Sequence, residues 1–231
     1  MLGTNVAVLL SGCGHLDGSD PLEVSLLCLA LSRLDIKPIF YAPYMSMSTG
    51  VNHVNGAEAE TGRNVLIESA RLVKESVLKL DELDPSDETL SALIIPGGHG
   101  PLNNFSDFKT SLETPPSVIK EILGIIEGFK AAGKPIGCTS HANILVALAI
   151  PNIEITLGSR DEEECPVASL VAPGLIEQGT TVTPTSVYEV QVDFENKIVT
   201  AAASLFASAK YHEVADQITI FFDMLMTLIE V

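Results

Sequence analysis

Apolar positions fall in short unbroken runs, each followed by a longer stretch in which apolar and polar residues alternate at helical spacing. The runs at 5–10, 38–42, 92–96 and 135–139 are paired in this way with amphipathic segments at 21–34, 63–74, 117–131 and 142–149. Short continuous apolar runs joined by helical crossovers predict a parallel sheet covered on both faces. Asp20-Pro21 offers an N-cap followed by proline at the first helical position, with Leu22, Leu26, Leu29 and Ala30 falling on one predicted apolar face. Lys134-Pro135 after Gly133 stops one helix and opens the next strand.

After Pro151 the rhythm changes to runs at 153–157, 180–183, 187–193 and 197–201, with Glu195-Asn196 as the turn between the last two. These predict antiparallel strands appended to the sheet and closed by a helix over about 208–229. The acid-rich segment 160–164 reads as a solvated loop or a helix start. The expected architecture is therefore α/β: a Rossmann-like (flavodoxin-like) three-layer sandwich, with a mostly parallel sheet and appended antiparallel strands. No repeat or linker divides the chain, so 1–231 is expected to form a single domain.

Composition narrows the function. The 231 residues are 46% apolar, enough to bury roughly 70% of the unfolded surface without covalent staples. Lys and Arg number 13 against 30 acids, for a net charge of −17. Without a basic patch, nucleic acid and anionic membrane are poor partners. Cys13, Cys28, Cys138 and Cys165 show no metal-type or disulfide spacing. The start MLGTNVAVLL lacks basic flanks and meets a glycine turn early, so a cytoplasmic protein without cofactor is expected.

Ligands of open α/β sheets bind at the carboxyl ends of the strands. Ser11-Gly12-Cys13-Gly14-His15 follows the first strand, and Glu23 falls in the first turn of the next helix, where it either serves a site or only compensates the helix dipole. The GxG lacks the third glycine of a dinucleotide fingerprint. Pro96-Gly97-Gly98-His99-Gly100-Pro101 follows the third strand; its amides could face developing negative charge, or it could be a tight strand exit. Cys138-Thr139-Ser140-His141 passes from strand directly into helix, the setting of a nucleophile elbow.

SGCG near the start, NHVNGAEAETGRNVLIESAR at 52–71, PGGHGPLNNFSDF at 96–108, KPIG…SHA and NKIVT at 196–200 together resemble the enhancing lycopene biosynthesis branch, the isoprenoid biosynthesis proteins with an amidotransferase-like domain. That branch lies in the class I glutamine amidotransferase-like superfamily with the PfpI-type proteases and the Parkinson-disease-associated deglycase. The resemblance implies a cysteine at the elbow hydrogen-bonded by a glutamate on the first helix. Glu23 carries over as that glutamate. Position 140 is the elbow, and it is Ser140; Cys138 lies inside the strand and reads as a small buried hydrophobe.

The candidate catalytic residues are thus Glu23, Ser140 and His141, with Gly97, Gly98, His141, Cys13, His15, His99 and Asn104 as candidate oxyanion or ligand contacts. His15, His99 and His141 each follow a different strand; they could hold a metal ion, or be solvent-facing histidines with no such role. His53 reads as ordering a loop beside the pocket and His212 as a surface residue, while Arg63 and Asn64 serve either the start of a helix or a ligand. The resemblance implies a homodimer and addition to, or hydration of, small reactive carbonyls. Because a hydroxyl needs an activating base where a thiol does not, two alternatives stand beside this: a catalytically silent binding or regulatory module, and a hydrolase using Ser140 or a metal-bound water.

Overall fold

A computed structural model describes residues 5–59, 62–108 and 116–230. In chain order the elements are β1 (Asn5–Leu9), α1 (Pro21–Arg33), β2 (Lys37–Ala42), β3 (Gly50–Val51), β4 (Glu58–Ala59), α2 (Val65–Ser69), β5 (Val77–Lys79), β6 (Leu90–Ile95), α3 (Gly100–Phe105), α4 (Lys120–Ala131), β7 (Ile136–Thr139), α5 (His141–Ala149), β8 (Glu154–Ile155), α6 (Pro166–Glu177), β9 (Thr181–Val182), β10 (Gln191–Asp193), β11 (Ile198–Ala201) and α7 (Tyr211–Glu230).

Seven strands form the main sheet in the order β10-β11-β7-β6-β1-β2-β5. Every neighbouring pair is parallel except β10 with β11. The central strands are buried on both faces: Val6, Ala7, Val8 and Leu9 of β1 and Leu93, Ile94 and Ile95 of β6 are all in the core, which is why they read as unbroken apolar runs. α1 packs against α7 on one face; α4 and α3 pack against α5 on the other. The chain leaves β1 toward β2 and returns to β6 on the opposite side, so the switch point lies between β1 and β6.

The mostly parallel sandwich expected from the sequence is the one observed, and the antiparallel addition is β10. Four details differ. β11 joins β7 in parallel register, Thr139 opposite Ala201, and β8 pairs with β9 in parallel off the main sheet. The helix expected over 63–74 is only α2, whose cap Asn64 accepts the Ile67 N–H through Oδ1 (3.2 Å). α1 also turns a different face inward. Asp20 caps it as expected, accepting from the Leu22 amide at 2.8 Å, but the buried stripe is Glu23, Val24, Leu27 and Leu31, and Leu29 is exposed. This helix carries apolar residues on several sides, so periodicity alone could not choose the stripe, and the glutamate at its head masks the true one.

Segment 160–164 is an exposed loop before α6. That helix, with Pro173 inside it, had no clear periodic signal in the sequence.

Candidate functional site

The elbow is built from the end of β7. The ladder with β11 continues one residue beyond the strand, Ser140 N–H donating to the Ala201 carbonyl at 2.9 Å, and α5 begins at the next residue. To make that change of direction, Ser140 takes φ 44° and ψ −120°. A non-glycine residue in this region is strained and persists only where its surroundings fix it. Position 140 is thus the strand-to-helix junction, and Cys138 lies within β7, fully buried, its thiol pushed well up by burial.

Glu23 reaches the elbow from the first turn of α1 and is fully buried. Its Oε2 accepts from the Thr139 hydroxyl at 2.5 Å and from the Gly97 N–H at 3.0 Å, and its Oε1 accepts from the Ser204 N–H at 3.3 Å. Burial raises its pKa, Asp20 nearby raises it further, and the hydrogen bonds from Thr139, Ser204 and Ser140 act against them without reversing the shift. The Ser140 hydroxyl also accepts the Gly98 N–H at 3.2 Å. Gly97 permits this crowding, because a Cβ there would overlap the Ser140 hydroxyl and stand 2.7 Å from Glu23 Oε2. The two amides proposed as anion donors are therefore both engaged by the protein: Gly97 on Glu23 and Thr139, Gly98 on Ser140.

The three strand-end histidines come together in a row. His141 packs on His99 with ring centroids 4.3 Å apart, and His99 meets His15 edge-on at 5.5 Å. His15 is the outer member, half exposed, and its Nδ1 bonds Asp20 Oδ2 at 2.8 Å. That hydrogen bond raises the His15 pKa against burial. His15 and the Leu22 amide together hold Asp20 low, although burial opposes them. His141 is the inner member, 7% exposed. Burial, with the neighbouring imidazoles, lowers its pKa to about 3, and its Nδ1 has no hydrogen-bond partner.

The metal reading of this trio finds no ligand set: among the described residues no group of His, Cys, Asp and Glu has a metal-holding arrangement. The rings lie against one another, which is contact geometry, and do not converge on one point. The Ser140–His141 pair of the hydrolase reading is likewise not formed. Adjacent residues at the start of a helix diverge, and His141 leans on His99 without bonding the serine hydroxyl.

Two further candidates stand apart from the elbow. Asn104 is spent on the scaffold: its Nδ2 donates to the Ser11 and Asp17 carbonyls (2.9 and 3.0 Å) and its Oδ1 accepts the Ser48 amide (2.9 Å). Cys13 lines a different cleft, together with His53 and Arg63. Sequence reasoning missed Thr139, Ser204 and the role of Asp20 as the partner of His15. Only Asp20 left a trace, as a cap residue; the other two reach Glu23 through long-range contacts.

No protein-family model matches the chain. Individual proteins do. A human protein, glutamine amidotransferase-like class 1 domain-containing protein 3, mitochondrial, is 33% identical over 210 residues, which cover 90% of this chain and 77% of the relative. The rat ES1 protein homolog, mitochondrial, matches to the same extent, 33% over 210 residues. Among solved structures, an isoprenoid biosynthesis protein with amidotransferase-like domain from Ehrlichia chaffeensis superposes with a TM-score of 0.83 at 26% identity, covering 96% of this chain and 99% of that one. Drosophila melanogaster DJ-1beta, at 12% identity and a TM-score of 0.54, shares the fold. With a glutamate on the first helix facing a strained strand-to-helix junction, and relatives matching nine-tenths of its length, the chain belongs to the glutamine amidotransferase-like class 1 (ES1) family.

Proposed function

We propose that this protein is a catalytically silent, ligand-binding member of its family. In this reading it holds a small carbonyl compound beside the histidine row without covalent turnover. One observation carries the reading: the Ser140 hydroxyl is fully buried, bonded to the Gly98 amide and Glu23, and not bonded to His141. A serine hydroxyl attacks only when a base takes its proton. The nearest carboxyl group, Glu23, has both oxygens already engaged, Oε2 by the Thr139 hydroxyl and the Gly97 amide and Oε1 by the Ser204 amide. What remains for a ligand is the half-open edge at His15 and His99, with the unpartnered Nδ1 of His141 beneath.

The domain reading, one amidotransferase-like unit over 1–231, belongs to this proposal, as do the homodimer and the cytoplasmic setting. No helix among the described residues is long and apolar enough to cross a membrane. A regulatory part in isoprenoid supply is the biological setting suggested by the name of the Ehrlichia neighbour.

The test uses methylglyoxal as substrate and hydroxyacetone as an unreactive probe. Parent protein is expected to consume no methylglyoxal above the Ser140→Ala background, while hydroxyacetone shifts the imidazole resonances saturably. Ser140→Cys should then create a thiol that iodoacetamide labels faster than any native cysteine, since burial raises the pKa of all four native thiols and at Cys13 outweighs the lowering by Arg71 and Arg63. Methylglyoxal consumption that disappears in Ser140→Ala would overturn the silent reading in favour of glyoxalase-like chemistry.

A further inference from the structure

The loop over 12–19 has two faces, and only one looks at the elbow. His15 points to His99 on that side. On the other, Cys13 and Gly14 form the wall of a separate cleft of about 460 Å³, closed by His53 from the β3–β4 turn and by Arg63, Glu68 and Arg71 around α2. A volume of this size suits a small metabolite.

The cleft is held rigidly. Gly12 N–H donates to Ser69 Oγ at 3.0 Å, tying α2 to the loop. Met47 N–H donates to the Arg63 carbonyl at 2.9 Å. Asp17, fully buried at the base, accepts the Val51 amide through Oδ2 at 2.8 Å and thereby fixes the β3–β4 hairpin. His53 is oriented from two sides: Nε2 accepts the Leu16 N–H at 3.2 Å and Nδ1 faces the Val51 carbonyl at 3.0 Å, which sets the neutral Nδ1–H tautomer. Gly14 is required for this closure, since a Cβ there would strike Asp17 Oδ1 and the His53 ring.

Within this frame the donors are unspent. Arg63 Nη1 lies 3.9 Å from Asp17 Oδ2, and Arg71 Nη1 lies 3.5 Å from Glu68 Oε2. These are ion pairs at long range; among the described residues neither guanidinium makes a hydrogen bond. Each has five N–H donors in a planar fork suited to carboxylate or phosphate oxygens. The chain has only four arginines against a net charge of −17, and two of them border this one cleft. Cys13 adds no competing anion, because burial keeps its thiol protonated.

We propose that this cleft is a second ligand site, independent of the elbow, that takes a small dianion bearing phosphate or paired carboxylate groups. Arg63 and Arg71 grip the oxygens from the α2 side, and the Asp17 and Glu68 carboxylates hold the two guanidiniums in place behind them. The 12–19 loop is the common wall of this site and the histidine row.

Calorimetric titration at constant ionic strength, with inorganic phosphate in one arm and malonate in the other, tests the assignment. Saturable binding of one probe per chain is expected in at least one arm, and the arm that responds names the ligand chemistry. Arg63→Gln and Arg71→Gln should each weaken that binding about tenfold or more, with thermal melts overlaying the parent because both side chains are exposed, 42% and 69%. Arg160→Gln, in the exposed acidic loop, should bind as the parent does. No saturation by either probe at about 10 mM, a Kd weaker than any useful metabolite site, would overturn the proposal, and so would equal binding by parent and the two cleft variants.

Discussion

Replacing His141 by leucine should remove a defined part of the protein's acid sensitivity. The imidazole is nearly fully buried, packed on His99, with the charged groups His15 and Asp20 beyond it, and its pKa is about 3 against an ordinary value of 6.5. A basic group with a lowered folded pKa contributes stability above its unfolded pKa and loses it as pH falls through that value toward the folded one. At pH 7.5 both states leave His141 neutral. At pH 5.5 the unfolded chain binds a proton there that the folded chain refuses, and the linkage integral between these two pH values is about 1.4 kcal/mol. For a chain of this size that corresponds to roughly 3–6 °C in melting temperature. The pH of 5.5 also stays a unit above the sequence pI of about 4.5, where the acidic charge keeps the protein in solution.

The assay is urea unfolding of parent and His141→Leu at both pH values. The packing change is common to the two conditions, and a neutral His141 exerts no charge on His15 or His99, so the difference of differences isolates this one titration. The parent should lose about 1.4 kcal/mol more than the variant on acidification. If the two proteins lose the same amount, the imidazole is not held neutral by burial and the description of the histidine row is wrong.

Gly97→Ala should destabilise the fold by about 3 kcal/mol or displace Ser140 from its strained conformation, because its Cβ would overlap the serine hydroxyl; thermal melting of the variant checks this, and an unchanged Tm refutes it. Glu23→Gln should gain on the parent as pH rises. A carboxyl with a raised folded pKa contributes stability below its unfolded pKa and loses it as pH climbs through the folded one. Unfolding curves of parent and variant that run parallel from pH 5.5 to 8 would contradict the raised pKa.

The parallel strands were legible because burial on both faces erases alternation, leaving apolar runs such as Val6–Val8 and Leu93–Ile95 that can be little else. Pairing direction was not. β11 carries the same apolar signal whether it runs with β7 or against it, and only the path of the chain through α5 and α6 decides. Glu23 and Ser140 could be placed because the order of elements delivers both to one sheet edge. The separation of Cys13 from His15, two residues apart, could not be anticipated: Gly12 and Gly14 adopt φ of 105° and 139°, and a chain free to enter that region can send successive side chains to opposite faces of its loop.

Glu23 has its last hydrogen-bond donor, the Ser204 amide, 181 residues downstream. At the pace of translation, about 5–20 residues per second, roughly 10–35 s separate the emergence of the two on a ribosome. During that interval the carboxyl group has no such amide to exchange for water, and burying it early would carry its full desolvation cost. The first helix can form at once, but its seat on the sheet is complete only after β11 and the turn at 203–205 are made. The acid at the heart of the site thus acts as a latch between the two ends of the chain. A nascent or truncated protein ending before residue 204 would carry an N-terminal half that is patterned for the fold and not yet locked into it.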